Sequence, residues 1–354
     1  MVVKQILFFF CCVMLFMRCD SNQTPTIRAI CVRDNIGNYI IKWETDPQME
    51  GKMKLYVSDT PDAFNLSAPC AYADIQEGIV TYITDDNISR KYFLLSFNDN
   101  YFRTIGARFV QMDGIQNLRD IGGYFDRKRQ HMTQWGKVYR SGVIRALSSN
   151  DKIRMKNLNI KTIIDLRGDD ERKRMPEQPT DANVISIPIP IKEKDLISRR
   201  LKEGQIRKGD GFVYMQDTYL RYVTEDSAQF SKALKVFLDR DNYPILINCS
   251  LGKDRVGFLA AMLLAALDVP EETIINDYMA SNDYINLEHF AYMGRELNTD
   301  AQETITVMLH ANERWMELVF RKIKKEYGSI NNYLSKGLHI SDKDRETLKE
   351  IMLD

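Results

Sequence analysis

Residues 243–268, YPILINCSLGKDRVGFLAAMLLAALD, constrain this chain more than any other stretch. A short apolar run and a longer one are joined by a polar insert. The insert holds a cysteine, a glycine, a lysine, an aspartate and an arginine within seven positions, Cys249 to Arg255. Apolar flanks of this kind belong in a core. The first reads as a buried parallel strand and the second as a helix. The insert is then a strand-to-helix loop, polar and reactive between two segments that are neither.

The same rhythm governs residues 113–354. KTIIDL is a second apolar strand, and FVYMQDTYLRYV, SAQFSKALKVFL, EETIINDYMASN and NERWMELVFRKIKKEY carry helical apolar spacing. Strands alternating with helices predict a mostly parallel sheet covered by helices. KEKDLISRRLKEGQIRKGDG (192–211) is charged and weakly periodic, and reads as a lid or a solvated helix. Residues 26–112 differ: TIRAICV, NYIIKWE, MKLYVS, IVTYIT, KYFLLSF and RTIGARFVQM are β-rich runs separated by turn signals. They predict a small all-β sandwich preceding the α/β domain. Trp43 and Tyr92 resemble the core aromatics of fibronectin type III modules, and nothing in this domain looks catalytic; it reads as a spacer, with a ligand-binding module as the alternative.

Lys+Arg and Asp+Glu balance at 49 each, so no global field points to nucleic acid, and any anion site must be local. At the start, MVVKQ is followed by the apolar ILFFFCCVMLFM, then Arg18, Cys19 and the polar DSNQTPT. The apolar run is too short to span a bilayer and suits the core of a secretory signal. It resembles a bacterial lipoprotein signal over 1–19, with Cys19 lipidated and 20–25 as a tether. Arg18 departs from the small residue usual before such a cysteine. The expectation is an exported protein of the cell envelope, lipid-anchored to a membrane through Cys19; an uncleaved anchor or simple secretion is the alternative. Cys31 and Cys70 are expected to be free thiols, and Cys249 is the odd thiol to examine for reactivity.

The N–H groups of a loop that opens a helix lack intrahelical partners and face the positive end of the helix dipole, which makes an anion cradle. Gly252 permits a backbone turn closed to side chains, and Gly257 permits close packing at the helix start. Arg255 offers a planar fork matched to two phosphate oxygens. Cys249, ending the strand, would point into that cradle, where cations and the helix N-terminus favour the nucleophilic thiolate. A Walker-type loop is excluded, because Ile247 stands at its first glycine and Asp254 follows the lysine. The four histidines are scattered and no cysteine pair has ligand spacing, so neither a metal nor an organic cofactor is expected.

Cys249-x5-Arg255, within the string C-x-x-G-K-D-R-x-G, resembles the signature loop of the bacterial tyrosine-specific and dual-specificity branch of the cysteine-dependent phosphatases. NLRDIGGY (117–124), YRSG (139–142), TIIDLRGDDE (162–171), NDYMASN (276–282) and YGSINNYL with GLHISDKD (327–344) follow that branch in order. The resemblance covers 113–354. It implies the cysteine-phosphatase fold and hydrolysis of phosphomonoesters, with a phosphotyrosine protein or another phosphomonoester as substrate. Alternatives are a phosphoinositide or small-ester phosphatase, or a catalytically weak phospho-ligand-binding lipoprotein. It further implies Cys249 as nucleophile, with Arg255 and the N–H groups of Ser250, Leu251, Gly252, Lys253, Asp254 and Arg255 holding the phosphoryl oxygens. Asp165 would orient Arg255, and Lys253 would add charge at the pocket mouth. Arg119 and Asp120 would brace the loop, while Tyr124, Arg140 and Tyr278 would be structural. Asp254 leads as general acid over Asp217. Asn248 and Val256 replace the histidine and hydroxyl residue common in the family, which removes one hydrogen bond to the thiolate.

Overall fold

The computed structural model describes residues 24–34, 36–176, 180–192, 194–288 and 296–354. The signal-like segment 1–19 and most of the tether lie outside these residues. Among the described residues no helix is long and apolar enough to cross a membrane.

Seven strands build the first unit: β1 (Thr26–Arg33), β2 (Tyr39–Asp46), β3 (Lys52–Ser58), β4 (Ala71–Asp74), β5 (Ile79–Tyr82), β6 (Tyr92–Phe97) and β7 (Tyr101–Gly106). They form two antiparallel sheets, ordered β1-β2-β5 and β4-β3-β6-β7. Strand alternation fills the space between them. Tyr39, Ile41 and Trp43 of β2 face Met53, Leu55, Phe93 and Phe97, while Lys42 and Glu44 face water. The indole of Trp43 donates to Ile75 O at 2.8 Å, which satisfies its buried N–H. Tyr92 is not a core aromatic of the sandwich. Period-two alternation gives that place to Phe93 and turns Tyr92 outward, toward the second unit. Cys31 is buried and Cys70 exposed, and both are free.

The second unit is a five-stranded sheet ordered β11-β10-β12-β9-β8. Its strands are β8 (Arg119–Asp120), β9 (Val138–Ser141), β10 (Thr162–Asp165), β11 (Asn183–Ser186) and β12 (Ile245–Asn248). β8 is antiparallel to β9, and the other four strands are parallel. Residues 108–110 add a short antiparallel edge, since Asp120 N–H donates to Arg108 O and Val110 N–H to Leu118 O, each at 3.0 Å. The helices are α1 (Ser149–Asn157), α2 (Asp169–Arg174), α3 (Lys194–Lys202), α4 (Asp210–Val223), α5 (Ser227–Val236) and α6 (Asp254–Ala266). They continue with α7 (Glu271–Met279), α8 (Ser281–Tyr284), α9 (Thr299–Leu309), α10 (Glu313–Tyr327), α11 (Ile330–Asn332) and α12 (Asp342–Met352). The charged 192–211 segment thus contains a helix, α3.

Both sheet faces are covered. Ile164, Ile245 and Ile247 join the large core containing α4, α5, α6 and α10, whereas Ile163 and Leu246 pack on the other face with Met155 of α1. Helix α6 is the centre of the unit: every residue but Asp254 is buried. A helix apolar all round has nowhere else to sit, and its burial fixes the loop that precedes it.

Candidate active site

The parallel register brings Ser141, Asp165 and Asn248 level at the C-terminal ends of β9, β10 and β12. Crevices at that edge are where open α/β sheets bind ligands. Cys249 begins the loop there, 2% exposed.

Donors from outside the loop set its shape. Val143 N–H donates to Ser250 O at 3.3 Å, and Asn117 Nδ2 to Leu251 O and Gly252 O at 3.0 Å. Arg140 Nη2 donates to Gly252 O at 2.8 Å. Each trans peptide points its N–H opposite to its carbonyl. Tying these carbonyls outward therefore turns the N–H groups of Leu251, Gly252 and Lys253 toward the inside. Those of Asp254, Arg255 and Val256 lie in the first turn of α6, and the first helical bond closes only at Gly257 N–H to Lys253 O, 2.9 Å. The loop is a nest of inward donors around Cys249. Gly252 is required for it: its φ is +68°, and a Cβ there would sit 2.3 Å from Ser141 C.

Arg255 is 4% exposed and gripped by Glu171 of α2, with Nη1 on Oε2 at 2.6 Å and Nη2 on Oε1 at 2.9 Å. Gly168 N–H and Ser250 Oγ complete the carboxylate's partners. Burial alone would raise the Glu171 carboxyl, but its hydrogen bonds to Arg255 and the guanidinium charge outweigh it and hold it at about 2. Burial likewise opposes the charge on Arg255, yet Cys249 and Glu171 keep it above its usual range.

Asp165 does not hold Arg255. Its carboxylate is occupied by Arg167, through the backbone N–H at 2.9 Å, Nε at 3.0 Å and Nη2 at 2.8 Å. The nearer cation in sequence has captured it, and Glu171 has the place assigned to Asp165. Nor does Lys253 stand at a pocket mouth. Its side chain is fully buried, with Nζ 2.6 Å from Asp254 Oδ1 and 5.9 Å from the centre of the Trp315 ring.

Asp254 is the one partly open carboxylate of the loop, with 23% of its side chain exposed. Tyr219 of α4 donates to the same Oδ1 at 2.7 Å, and the Tyr219 hydroxyl lies 2.8 Å from that of Tyr278. Two donors on Oδ1 fix the carboxyl group and leave Oδ2 without a protein partner among the described residues. Asp217, on the same helix as Tyr219 but two residues away, faces solvent. A two-residue step on a helix is over half a turn, so Asp217 and Tyr219 cannot both face the loop.

Beneath the loop, Asp277 of α7 pairs with Arg140 at 2.5 Å and Arg119 at 3.4 Å, and accepts the Tyr124 hydroxyl at 3.0 Å. Burial raises its carboxyl, but Arg119, Arg140 and Arg108 hold it well below the carboxylate range. Arg119 also donates to Asn117 Oδ1, so the cluster reaches the loop through both Asn117 and Arg140. Arg119 braces the loop as expected of that motif. Asp120 instead faces away, toward the sandwich. Val256 is fully buried in the main core. Sequence reasoning passed over Glu171, Asn117 and Tyr219; Glu171 stands at the third position of α2, where its carboxylate accepts the Gly168 N–H, but a glycine before the helix gives no capping-box signal in the sequence.

Among the described residues no group of three His, Cys, Asp or Glu side chains is disposed to hold a metal ion. A loop with its carbonyls tied outward, a buried thiol and a clamped arginine together suit phosphoryl transfer.

Comparison with known proteins agrees. A protein of Cupriavidus necator named as a tyrosine-protein phosphatase is 27% identical over 241 residues, covering 66% of this chain and 86% of its own. The triple specificity protein phosphatase PtpB of Mycobacterium tuberculosis is 24% identical over 258 residues, covering 63% of this chain and 92% of its own. Among solved structures, the catalytic core of the PP-IP phosphatase SIW14 from S. cerevisiae, complexed with citrate, aligns over 63% of this chain and 98% of its own. That overlay has 15% identity and a TM-score of 0.28, too low to support a comparison of sites. The model of the tyrosine phosphatase family matches residues 110–354, which hold every part of the nest and its supports, and the chain belongs to that family.

Proposed function

We propose that this protein hydrolyses phosphomonoesters, phosphotyrosine in proteins foremost, through a phosphocysteine on Cys249. The observation that carries this reading is a loop after a buried cysteine whose carbonyls at 250–252 are tied outward, so that its N–H groups at 251–253 are free to turn inward beside the open first turn of α6, next to an arginine that Glu171 holds. In the first step Cys249 Sγ, as thiolate, attacks phosphorus. The S–P bond forms as the bond to the leaving oxygen breaks, and Asp254 Oδ2 gives that oxygen its proton. The equatorial oxygens lie against the N–H groups and Arg255, so the catalysis is chiefly positioning and charge stabilisation. In the second step the Asp254 carboxylate takes a proton from a water that attacks phosphorus. The S–P bond then breaks, which returns the thiolate and releases inorganic phosphate.

A nucleophile only 2% exposed favours a long, flat aryl phosphate over the shorter phosphoserine. The burial of Lys253 removes the extra surface cation that would favour inositol lipids. The signal-like segment supports export and a lipid anchor at Cys19, tested by labelling with a palmitate analogue that a Cys19→Ala variant should lose.

The deciding experiment measures phosphate release from phosphotyrosine, phosphoserine and phosphothreonine peptides and from inositol lipids, in excess EDTA. Turnover highest on phosphotyrosine is expected. Preference for inositol lipids would replace the substrate assignment, and tight binding without multiple turnovers would replace the enzyme by a phospho-ligand receptor.

A further inference from the structure

The β-sandwich is not a detached spacer. Arg90, from the turn before β6, is 9% exposed and reaches out of the sandwich into the phosphatase unit. Its Nη1 lies 2.7 Å from Asp120 Oδ2, 2.7 Å from the Tyr92 hydroxyl and 3.0 Å from the Tyr139 hydroxyl, and Nη2 donates to Ala107 O at 2.8 Å. The guanidinium carbon sits 4.5 Å from the Tyr92 ring centre, 5.6 Å from that of Tyr139 and 5.8 Å from that of Trp135. Trp135 Nε1 returns the contact by donating to Thr104 O at 3.1 Å. A guanidinium taken this far out of water needs partners, and here both units supply them to Nη1 and Nη2, while the buried Nε makes no hydrogen bond.

What Arg90 grips is the strand pair that supports the catalytic loop. In the β8–β9 ladder Arg119 lies opposite Arg140, and Asp120 opposite Tyr139. Neighbouring strand residues face opposite sides. One side of this short ladder, Arg119 and Arg140, holds the loop through Asn117, Asp277 and Gly252 O. The other side, Asp120 and Tyr139, is held by Arg90 of the sandwich.

We infer that the sandwich is part of the catalytic unit and that Arg90 is a positioning residue. By fixing the β8–β9 ladder it fixes the donors that turn the loop N–H groups inward. The inference rests on the phosphatase reading, so its test includes a measurement that needs no turnover.

Three full-length proteins would be compared at a temperature where all are folded: wild type, Arg90→Lys, and Ile41→Ala, which weakens the sandwich core away from the interface. For each, kcat and KM on aryl phosphates would be measured. Tungstate binding would be measured on the same proteins carrying Cys249→Ser. Arg90→Lys is expected to lower kcat and weaken tungstate binding by about three- to thirtyfold, the range of coupling through packed networks. Ile41→Ala should lower the melting temperature and leave both within about twofold. Unchanged kcat and tungstate affinity in Arg90→Lys would overturn the inference, and so would equal losses in Ile41→Ala, which would make stability the cause. If wild type binds tungstate but turns over nothing, the phosphatase reading fails while the tungstate comparison still decides the role of Arg90.

Discussion

Replacing Glu171 by glutamine would keep the size of the side chain and remove its charge. Two charge-assisted hydrogen bonds to Arg255 are lost as such, and the new amide turns a donor toward the guanidinium fork. The carboxyl is depressed from 4.5 to about 2, which corresponds to about 3 kcal/mol of stability at neutral pH as an upper figure. A depressed carboxyl stabilises the fold above its ordinary pKa and loses that contribution as pH falls through the folded value. The gap between wild type and variant should therefore be widest above about pH 4.5, narrow below it, and close near pH 2. Arg255, no longer held, should lose its aim at the equatorial oxygens, with kcat/KM falling about ten- to a hundredfold, the scale of one misplaced charged donor. Denaturant melts between pH 7 and pH 2, with aryl phosphate kinetics at pH 6–7, measure both. A variant with wild-type kcat/KM and a pH-independent stability gap would refute the clamp.

Three further outcomes follow from the same geometry. Tyr219→Phe removes one of the two donors that fix Asp254 and should make the rate depend more steeply on leaving-group pKa, by about tenfold for poor leaving groups and little for good ones; a parallel loss on all esters would deny Tyr219 that role. Gly252→Ala places a side chain at positive φ against the β9 backbone, at a cost of about 1–2 kcal/mol before the clash is counted, and should lower the melting temperature and abolish oxyanion binding at a temperature where the variant is still folded; retained binding would mean the loop does not need its turn. Val256→Thr should speed phosphoenzyme breakdown by about ten- to a hundredfold if its hydroxyl reaches Sγ, set against the cost of burying that hydroxyl; unchanged burst kinetics and an unchanged pH dependence of Cys249 alkylation would mean another donor serves.

The strand, loop and central helix around Cys249 were legible because the apolar runs that bury them are contiguous in sequence. The loop's supports were not. Asp165 and Glu171 stand six positions apart near the end of β10, and only tertiary structure shows that Arg167, two residues away, takes the first and leaves the second for Arg255. Lys253 looks like a surface cation because its neighbours are charged, yet it is buried beneath Trp315, some sixty residues later. A shift of one position along β6 separates a core phenylalanine from a tyrosine aimed at the other unit. Arg90 carried no signal at all, since a single arginine in a turn becomes meaningful only when the second unit surrounds it.

The central claim is that Cys249 accepts the phosphoryl group. Rapid acid quench of the enzyme during turnover of an aryl phosphate, followed by digestion and mass spectrometry of the peptide containing Cys249, tests it directly. The account predicts one phosphoryl group on Cys249 in wild type and none in Cys249→Ser, which should bind tungstate yet turn over nothing. Hydrolysis that persists in Cys249→Ser, or an unmodified Cys249 during steady turnover with the label on another residue, would contradict it.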